Sequence, residues 1–457
     1  MKHNLSFLPW GTTIRDAIQQ MEKGGYSSAF FLTSEGKYAG EFFVNDLRRL
    51  LISGTTEDEP VSNFKPRHTL YLTEADLRNT AAIERLVSDL KLSRATYVPL
   101  INVNASIVEV YSLGDLTQAK ASNDFGKSFE EQKVLVVGGA GYLGSVLVQK
   151  LLQNGYSVRV LDNFIYGKKS LDWITNRSHV EIVQGDMRDV HTIVSSLNDV
   201  GSVILLAAIV GDPASKVRPG ETIETNLLAA QALATACKLQ HINRFIYAST
   251  CSVYGTGGDI LDEGAPLNPV SLYARTKIAS EEIILKMGND YFAPTILRMG
   301  TLYGFSHRMR FDLVVNTMTM KAFTERKITV FGGNQWRPLL HVDDAADAYV
   351  LCLKSELHNV GNQIFNVGSD TQNYQIDQIA ERISRALGGI PIQRDESSLD
   401  VRDYRVSFKK IQDRLLFIPR GSVEDAARLI YQKLEDGSVK NPSQKIYYNH
   451  YFDSSEE

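Results

Sequence analysis

Three polar residues past the middle of the chain have the types and spacing of a proton-abstracting site. Thr250 follows the apolar run 245–248, and Tyr273 lies 23 positions beyond it, with Lys277 four further on. Four positions is just over one helical turn, so the phenol and the ammonium share a face. A cation beside a phenol favours its anion and lowers a pKa that is ordinarily about 10. Such a tyrosine serves as a base near neutral pH. Thr250, at the C-terminal end of a strand, offers a hydroxyl to the same substrate oxygen. Tyr and Lys at this spacing are common on helices, so the site depends on what surrounds it.

The element that must position these groups is the stretch 133–148. It passes from Val134, Leu135, Val136 and Val137 through glycines into apolar residues at helical spacing, which predicts strand, tight turn and helix. Gly138 suits the turn, Gly141 admits the approach of a pyrophosphate, and Gly144 lets the helix lie on the sheet. Tyr142 and Leu143 open the helix, whose free N–H groups and dipole favour phosphate. A second strand, 156–161, ends in Asp162, 24 positions after Gly138. A carboxylate there receives the ribose hydroxyls of NAD and repels the extra phosphate of NADP; Asn163 follows it.

A chain of 457 residues predicts two to three domains. With 49 basic and 53 acidic side chains the net charge is −4, which gives no global electrostatic case for nucleic acid or an anionic membrane. Cys237, Cys251 and Cys352 lack metal-ligand spacing, so no metal is expected and a reduced, cytoplasmic setting fits. The first ten residues hold no apolar run of signal-peptide type. The stretch 203–210 is too short for a bilayer and reads as a buried parallel strand. From Lys133 onward strand and helix patterns alternate, at 134–137, 145–154, 158–161, 180–184, 203–207, 222–238 and 244–248. That is the pattern of an α/β, doubly wound parallel sheet with helices on both faces.

Residues 1–120 carry an internal repeat with an offset of 69, which places Asp46 over Asp115, Ile14 over Ile83, Met21 over Leu90 and Phe31 over Leu100. Each half predicts an amphipathic helix (13–22; 80–90), a strand (29–32; 96–101), a second strand and another helix. This layout resembles an α+β tandem pair of CBS domains, the Bateman module. The resemblance implies a regulatory module that takes AMP, ADP or ATP through a hydroxyl and an aspartate. Ser112 and Asp115 match that signature; Asp46 matches the aspartate, but Phe43 stands where the first half should have its hydroxyl. Both aspartates also suit helix N-caps. A polar linker is expected at 121–132.

From Lys133 to about 435 the chain resembles the extended short-chain dehydrogenase/reductase family, in its nucleotide-sugar epimerase and dehydratase branch. The glycine turn, strand-end acid, strand-end hydroxyl and YxxxK occur here in that family's order. The resemblance implies a Rossmann-type domain over 133–312 and a mainly substrate-binding C-terminal lobe over 313–457, interleaved with it. The lobe is expected to include the strands 328–331 and 363–367. Gly138, Gly141, Gly144 and Asp162 fall on the family's NAD ligands, Asp186 on the residue near adenine with Met187 after it, and Ala207 and Ala208 on the small residues bordering the cofactor. Asn226 and Thr301 fall on substrate-contacting positions, where the family usually has Asn in place of Thr301. Arg337 and Arg402 fall on the arginines that hold the nucleotide diphosphate, a role suited to a two-pronged guanidinium; Arg402 could also pair with a nearby carboxylate. Arg308 and Arg310 are further candidate contacts, while His341 and Cys251 read as structural. Thr250, Tyr273 and Lys277 become the catalytic set, with Lys277 also on the nicotinamide ribose. The branch's dehydratases carry Asp-Glu after the catalytic Thr; here Cys251-Ser252 follows, which favours epimerisation or oxidation over elimination. The resemblance thus implies an NAD-dependent epimerase of a nucleotide-diphosphate sugar, assembled as a homodimer or homotetramer.

Overall fold

Seven short strands, each a run of aliphatic and β-branched residues, hydrogen-bond into one parallel sheet: Lys133–Val137, Val158–Asp162, Val180–Gln184, Val200–Leu205, Arg244–Thr250, Ala293–Met299 and Gln363–Val367. Strands covered on both faces need no polar alternation, and every residue of Val200–Leu205 is buried. This computed structural model describes residues 6–449 except 25, 27, 67–69, 74–75, 77–85, 87–96, 113–115, 117–132, 176, 290–291 and 396–401. Counted in chain order, the strands lie 3-2-1-4-5-6-7 across the sheet. The direction of winding reverses between Lys133–Val137, which pairs with Val158–Asp162 on one side, and Val200–Leu205 on the other. A crevice at the carboxyl ends is where such sheets take ligands. Two apolar layers cover the sheet, one including Leu147, Tyr349 and Phe365, the other Leu233, Cys237 and Tyr247.

One expectation is corrected. Gln363–Val367 is the edge strand of the main sheet, paired with Ala293–Met299 from Thr295↔Gln363 to Met299↔Val367. A five-residue apolar run carries no mark of which sheet it joins. What carries it there is the helix Val342–Lys354, which shares the core of the glycine-turn helix Tyr142–Gln153 and pairs Asp347 with Lys150 at 2.8 Å. The remaining C-terminal elements form a separate layer. Thr301–Tyr303 and Asn373–Gln375 flank Trp336–His341, and Ile328–Phe331 pairs with Ile392–Asp395. The helices Val314–Thr324, Ile376–Ala386 and Val423–Glu435 enclose a core containing Val315, Ile328, Ile379 and Ala427. Thr256–Leu261 pairs with Asp403–Val406, which brings Arg402 and Tyr404 back to the sheet. Among the described residues no helix is long and apolar enough to cross a membrane, and the three cysteines are free and buried.

The chain divides into two compact units, Met1–Lys127 with Glu356–His358, and Ser128–Ser355 with Asn359–Glu457. In the first, Ser6–Pro9, Ser28–Leu32 and Tyr38–Phe43 form a sheet, with the helix Ile14–Gly24 burying Ile14, Ala17 and Met21. The offset of 69 holds at the level of register. Ser28↔Phe43, Phe31↔Gly40 and Leu32↔Tyr38 recur as Tyr97↔Ser112, Leu100↔Glu109 and Ile101↔Ile107, with the irregularity at the same place in both hairpins. Lys37 bridges Ser106, its own counterpart. The expected helix at 80–90, the linker at 121–132 and Asp115 lie outside the described residues.

Candidate active site

The strand Arg244–Thr250 delivers Thr250 to the carboxyl edge, where its hydroxyl accepts the Ser252 N–H at 3.1 Å and turns the chain into the short helix Cys251–Tyr254. Tyr273 and Lys277 lie on the helix Leu272–Lys286, whose first turn is capped by Ser271 accepting the Ala274 N–H at 3.2 Å. That helix is fixed from within. Glu281, one turn beyond Lys277 and 2 % exposed, takes the Arg298 guanidinium through Nη2 at 2.7 Å and Nε at 3.1 Å, together with the Ser249 hydroxyl. Arg298 Nη1 donates to the Tyr254 hydroxyl at 3.0 Å, so strand, turn and helix are held by one buried ion pair.

A cavity of about 830 Å³ opens over these groups and reaches the glycine turn. Burial pushes the Tyr273 phenol up to about 12, while its hydrogen bond with Thr250 and the charge of Arg310 pull it down and Asp212 opposes them. Protein groups alone therefore hold the phenol above its ordinary value; the lowering expected from sequence relied on the nicotinamide charge as well as on Lys277. Lys277 Nζ donates to the Ala248 carbonyl at 2.8 Å and lies 6.0 Å from the Tyr273 ring centroid. Burial pushes its ammonium down to about 7, against the attraction of Glu281.

The far end of the cavity is shaped for a dinucleotide. Gly138 has φ +88°, and a Cβ there would lie 2.6 Å from the Ala207 nitrogen; a Cβ at Gly144 would lie 2.1 Å from the Gly138 carbonyl oxygen. Only glycines let turn, helix and strand end meet so closely. Gly141 opens the helix without a side-chain cap, leaving the N–H groups of Tyr142, Leu143 and Gly144 for an anion. The Tyr142 side chain works elsewhere, its hydroxyl donating to the Gly304 carbonyl at 2.7 Å. Asp162 accepts the N–H groups of Ala140 (2.9 Å) and Phe164 (2.8 Å), and each oxygen keeps a lone pair for a ribose hydroxyl. Burial raises its pKa while those donors and Arg308 lower it. Asn163, Met187, Ala207 and Ala208 line the cavity. Asp186 does too, with its carboxylate forked to Arg188, the nearest pair at 2.7 Å. These residues fit NAD.

The expected substrate contacts divide. Thr301, Arg337 and Arg402 line the cavity. Asn226 does not: it is 1 % exposed in a single π-helical turn, Glu224–Ala229, and its amide clamps Ile209 in both directions, at 2.8 and 2.9 Å. The amide that sequence placed on substrate holds the strand-end loop at Ile209 in this structure. Arg402 lies 3.7 Å from Asp212, and Arg337 donates to the Trp336 carbonyl at 2.7 Å. Asp212 went unnoticed in the sequence, although Gly211-Asp212-Pro213 comes two residues after the strand-end alanines, at the sheet edge where ligands bind. Cys251 is buried against the Arg298 carbonyl at 3.2 Å, and burial raises its thiol pKa, so it offers no acid or base. His341 caps the helix Val342–Lys354 by accepting the Asp343 N–H at 3.2 Å.

In the N-terminal unit, Ser112 ends the strand Ile107–Ser112 and is fully buried. Asp46 is not an N-cap: Phe43 holds that position, and Asp46 lies in the first turn of the helix Val44–Ile52, 3.9 Å from Arg49.

Comparison with known proteins agrees with this geometry. Residues 134–368 match the model of the NAD dependent epimerase/dehydratase family. A UDP-glucose 4-epimerase of Corynebacterium glutamicum is 30% identical over 278 residues, 57% of this chain and 82% of that protein. Among solved structures, a UDP-glucose 4-epimerase of Thermus thermophilus in complex with NAD superposes with a TM-score of 0.58 at 26% identity, over 66% of this chain and 99% of that one. A UDP-glucuronic acid 4-epimerase of Bacillus cereus, in complex with UDP-glucuronic acid and NAD, gives 0.59 at 26% identity over the same shares. A glycine turn with Asp162, a Thr250, Tyr273 and Lys277 set beside it, and these likenesses place the chain, as an NAD-dependent enzyme, in the NAD dependent epimerase/dehydratase family of extended short-chain dehydrogenases/reductases.

Proposed function

We propose that the C-terminal unit epimerises a nucleotide-diphosphate sugar at C4 through a transient keto sugar. The observation that carries this reading is that Tyr273, Thr250 and Lys277 line the same cavity as the glycine turn, with Thr250 acting on the Tyr273 phenol. Tyr273 takes the proton of the C4 hydroxyl and later returns one, while the Thr250 hydroxyl holds the same oxygen. When bound, NAD would supply reversible hydride acceptance at C4, which makes the reaction an isomerisation with no net oxidation. Arg337 and Arg402 hold the diphosphate while the sugar turns over; the positioning of the reacting carbon is the protein's main contribution.

Two features favour epimerisation of a neutral hexose within this family. Cys251 and Ser252 stand where an eliminating enzyme needs a carboxyl pair, and neither side chain replaces one. Asp212, whose charge acts on the Tyr273 hydroxyl, disfavours a second carboxylate on the sugar. The test is incubation of the purified protein with UDP-glucose, UDP-galactose, UDP-glucuronic acid and their dTDP counterparts, with products resolved by chromatography. Interconversion of C4 epimers without accumulating NADH supports the reading. Stoichiometric NADH would mean a dehydrogenase, released carbon dioxide a decarboxylase, and a keto-deoxy sugar a dehydratase.

The N-terminal unit is, on the same proposal, a tandem CBS module that takes AMP, ADP or ATP at Ser112 and Asp115 and alters activity or assembly, the enzyme being a homodimer or homotetramer. The repeated hairpin register supports the doubled layout, and Phe43 in place of a hydroxyl leaves the Asp46 half the weaker site. Regulation requires the nucleotide to bind two enzyme states unequally. Calorimetry showing no adenine-nucleotide binding, or binding indifferent to Asp115→Ala, would remove this part of the proposal.

A further inference from the structure

At the dinucleotide end of the cavity one guanidinium, that of Arg308, has no carboxylate within ion-pair distance among the described residues. Arg308, Arg310 and Arg218 all act on the phenol of Tyr166, with Asp312 opposing them. Arg310 has its own counter-ion, forking onto Asp312 at 3.0 and 2.7 Å, and Arg218 lies 3.5 Å from Glu221. Arg308 has no such fork. It is 4 % exposed, its guanidinium stacks 3.7 Å from the Tyr166 ring centroid, its Nη2 donates to the neutral Asn449 amide at 2.7 Å, and its buried Nε has no hydrogen-bond partner. Burial and the neighbouring Arg310 bring its pKa down to about 10, although Tyr166, Asp312 and Asp162 pull the other way. A guanidinium is rarely buried with only neutral groups in contact, because losing water costs it more than stacking and one amide return. What completes such a site is an anion with paired oxygens.

The position says which anion. Arg308 lines the cavity with Gly138, Gly141, Asp162 and Tyr166, and its charge acts on Asp162, the carboxylate that fits the adenosine ribose. In NAD a diphosphate links that ribose to the nicotinamide ribose, and the uncapped helix at Gly141, which lines the same cavity, offers N–H groups to such an anion. We infer that Arg308 binds the pyrophosphate of NAD, closing it between the glycine turn and the segment that joins the sheet to the C-terminal lobe. Cofactor retention then depends on a residue outside the nucleotide-binding half of the sheet, and on Asn449 near the C-terminus, which orients it.

Arg308→Gln removes the charge, and Asn449→Asp leaves the arginine but gives it a protein counter-ion. Calorimetry on cofactor-stripped protein would measure the affinity of each variant and of wild type for NAD, adenosine and UDP. In either variant NAD is expected to bind about tenfold or more weakly, with adenosine and UDP within about twofold, and the protein to purify with less NAD. Unchanged NAD affinity in the folded variants overturns the inference. So does a loss confined to UDP, which would assign the cation to the nucleotide-sugar diphosphate, or an equal loss for adenosine, which would make Arg308 a support of the fold. Should Arg308→Gln fail to fold, Asn449→Asp carries the test alone.

Discussion

Lys277 directs its ammonium to the Ala248 carbonyl, 2.8 Å away, and not to the hydroxyl of Tyr273 one turn back on the same helix. The residue is 2 % exposed, and burial outweighs Glu281 in setting its pKa near 7. In the unfolded chain the value is about 10.4. Between about pH 7 and pH 10 the unfolded chain holds this proton and the folded protein does not, so the residue makes stability rise with pH across that window. Below about 7 it is charged in both states and its contribution is constant. The stability of wild type relative to Lys277→Met is expected to grow from pH 7 to 9.5, read from unfolding midpoints. A difference that stays constant over that range would mean the ammonium stays charged in the folded protein.

Tyr273→Phe removes the proposed base while keeping the ring. Turnover is expected to fall about 10³-fold, with bound NAD unchanged on extraction. Thr250→Ala should lose less, about tenfold, since it holds the same oxygen without accepting its proton. A Phe variant retaining a tenth of the activity would exclude the phenol as base.

Asp212 disfavours the Tyr273 anion by its charge. Asp212→Asn removes that charge, so the alkaline-rising limb of kcat/KM is expected to move to lower pH, by several tenths of a unit. Discrimination against UDP-glucuronic acid should weaken in the same variant. A limb that moves to higher pH would show that Asp212 acts through Arg402 instead, 3.7 Å away.

The pair Glu281 and Arg298 is almost solvent-free, each side chain being 3 % exposed. Glu281→Gln leaves a buried guanidinium without its counter-ion, at a cost of about 3 to 5 kcal/mol. The double change Glu281→Gln with Arg298→Met should restore part of that loss. Thermal unfolding of the four proteins completes the cycle, and additive effects would show that the two do not act as a pair.

Gly144→Ala would press a methyl group against the Gly138 carbonyl, 2.1 Å from its oxygen. The helix must then move off the turn, for about 1 to 3 kcal/mol, and NAD affinity is expected to drop at least tenfold. Gly155→Ala, whose φ of +84° is strained but whose surroundings are open, should lower stability alone. Equal NAD affinity in the two variants would show that the close approach at Gly144 is dispensable.

The elements whose local pattern is self-contained could be read before any coordinates. The glycine turn, the strand ending in Asp162 and the helix bearing Tyr273 and Lys277 each declare themselves within a dozen or so residues. Gln363–Val367 could not be placed, because membership of a sheet is decided by a partner strand, here Ala293–Met299, far away in the chain. The contact of Asn226 with Ile209 was not legible for a related reason. Asn226 lies in a widened turn that no propensity signals, and its amide holds Ile209 there. Asp212 and Tyr166 matter only through what the fold brings to them, Arg402 in one case and a stacked guanidinium in the other. Pairwise chemistry between distant segments is the part that sequence pattern does not encode locally.

In the N-terminal unit, position 37 meets position 106, which is the same position one repeat later. A residue facing its own duplicate is the mark of an isologous contact, the kind by which two identical chains join across a two-fold axis. The two described hairpins thus meet as the halves of a two-fold pair do, within a single chain. The halves are not identical, since Phe43 and Ser112 stand at matching strand ends, an asymmetry that no true homodimer could carry.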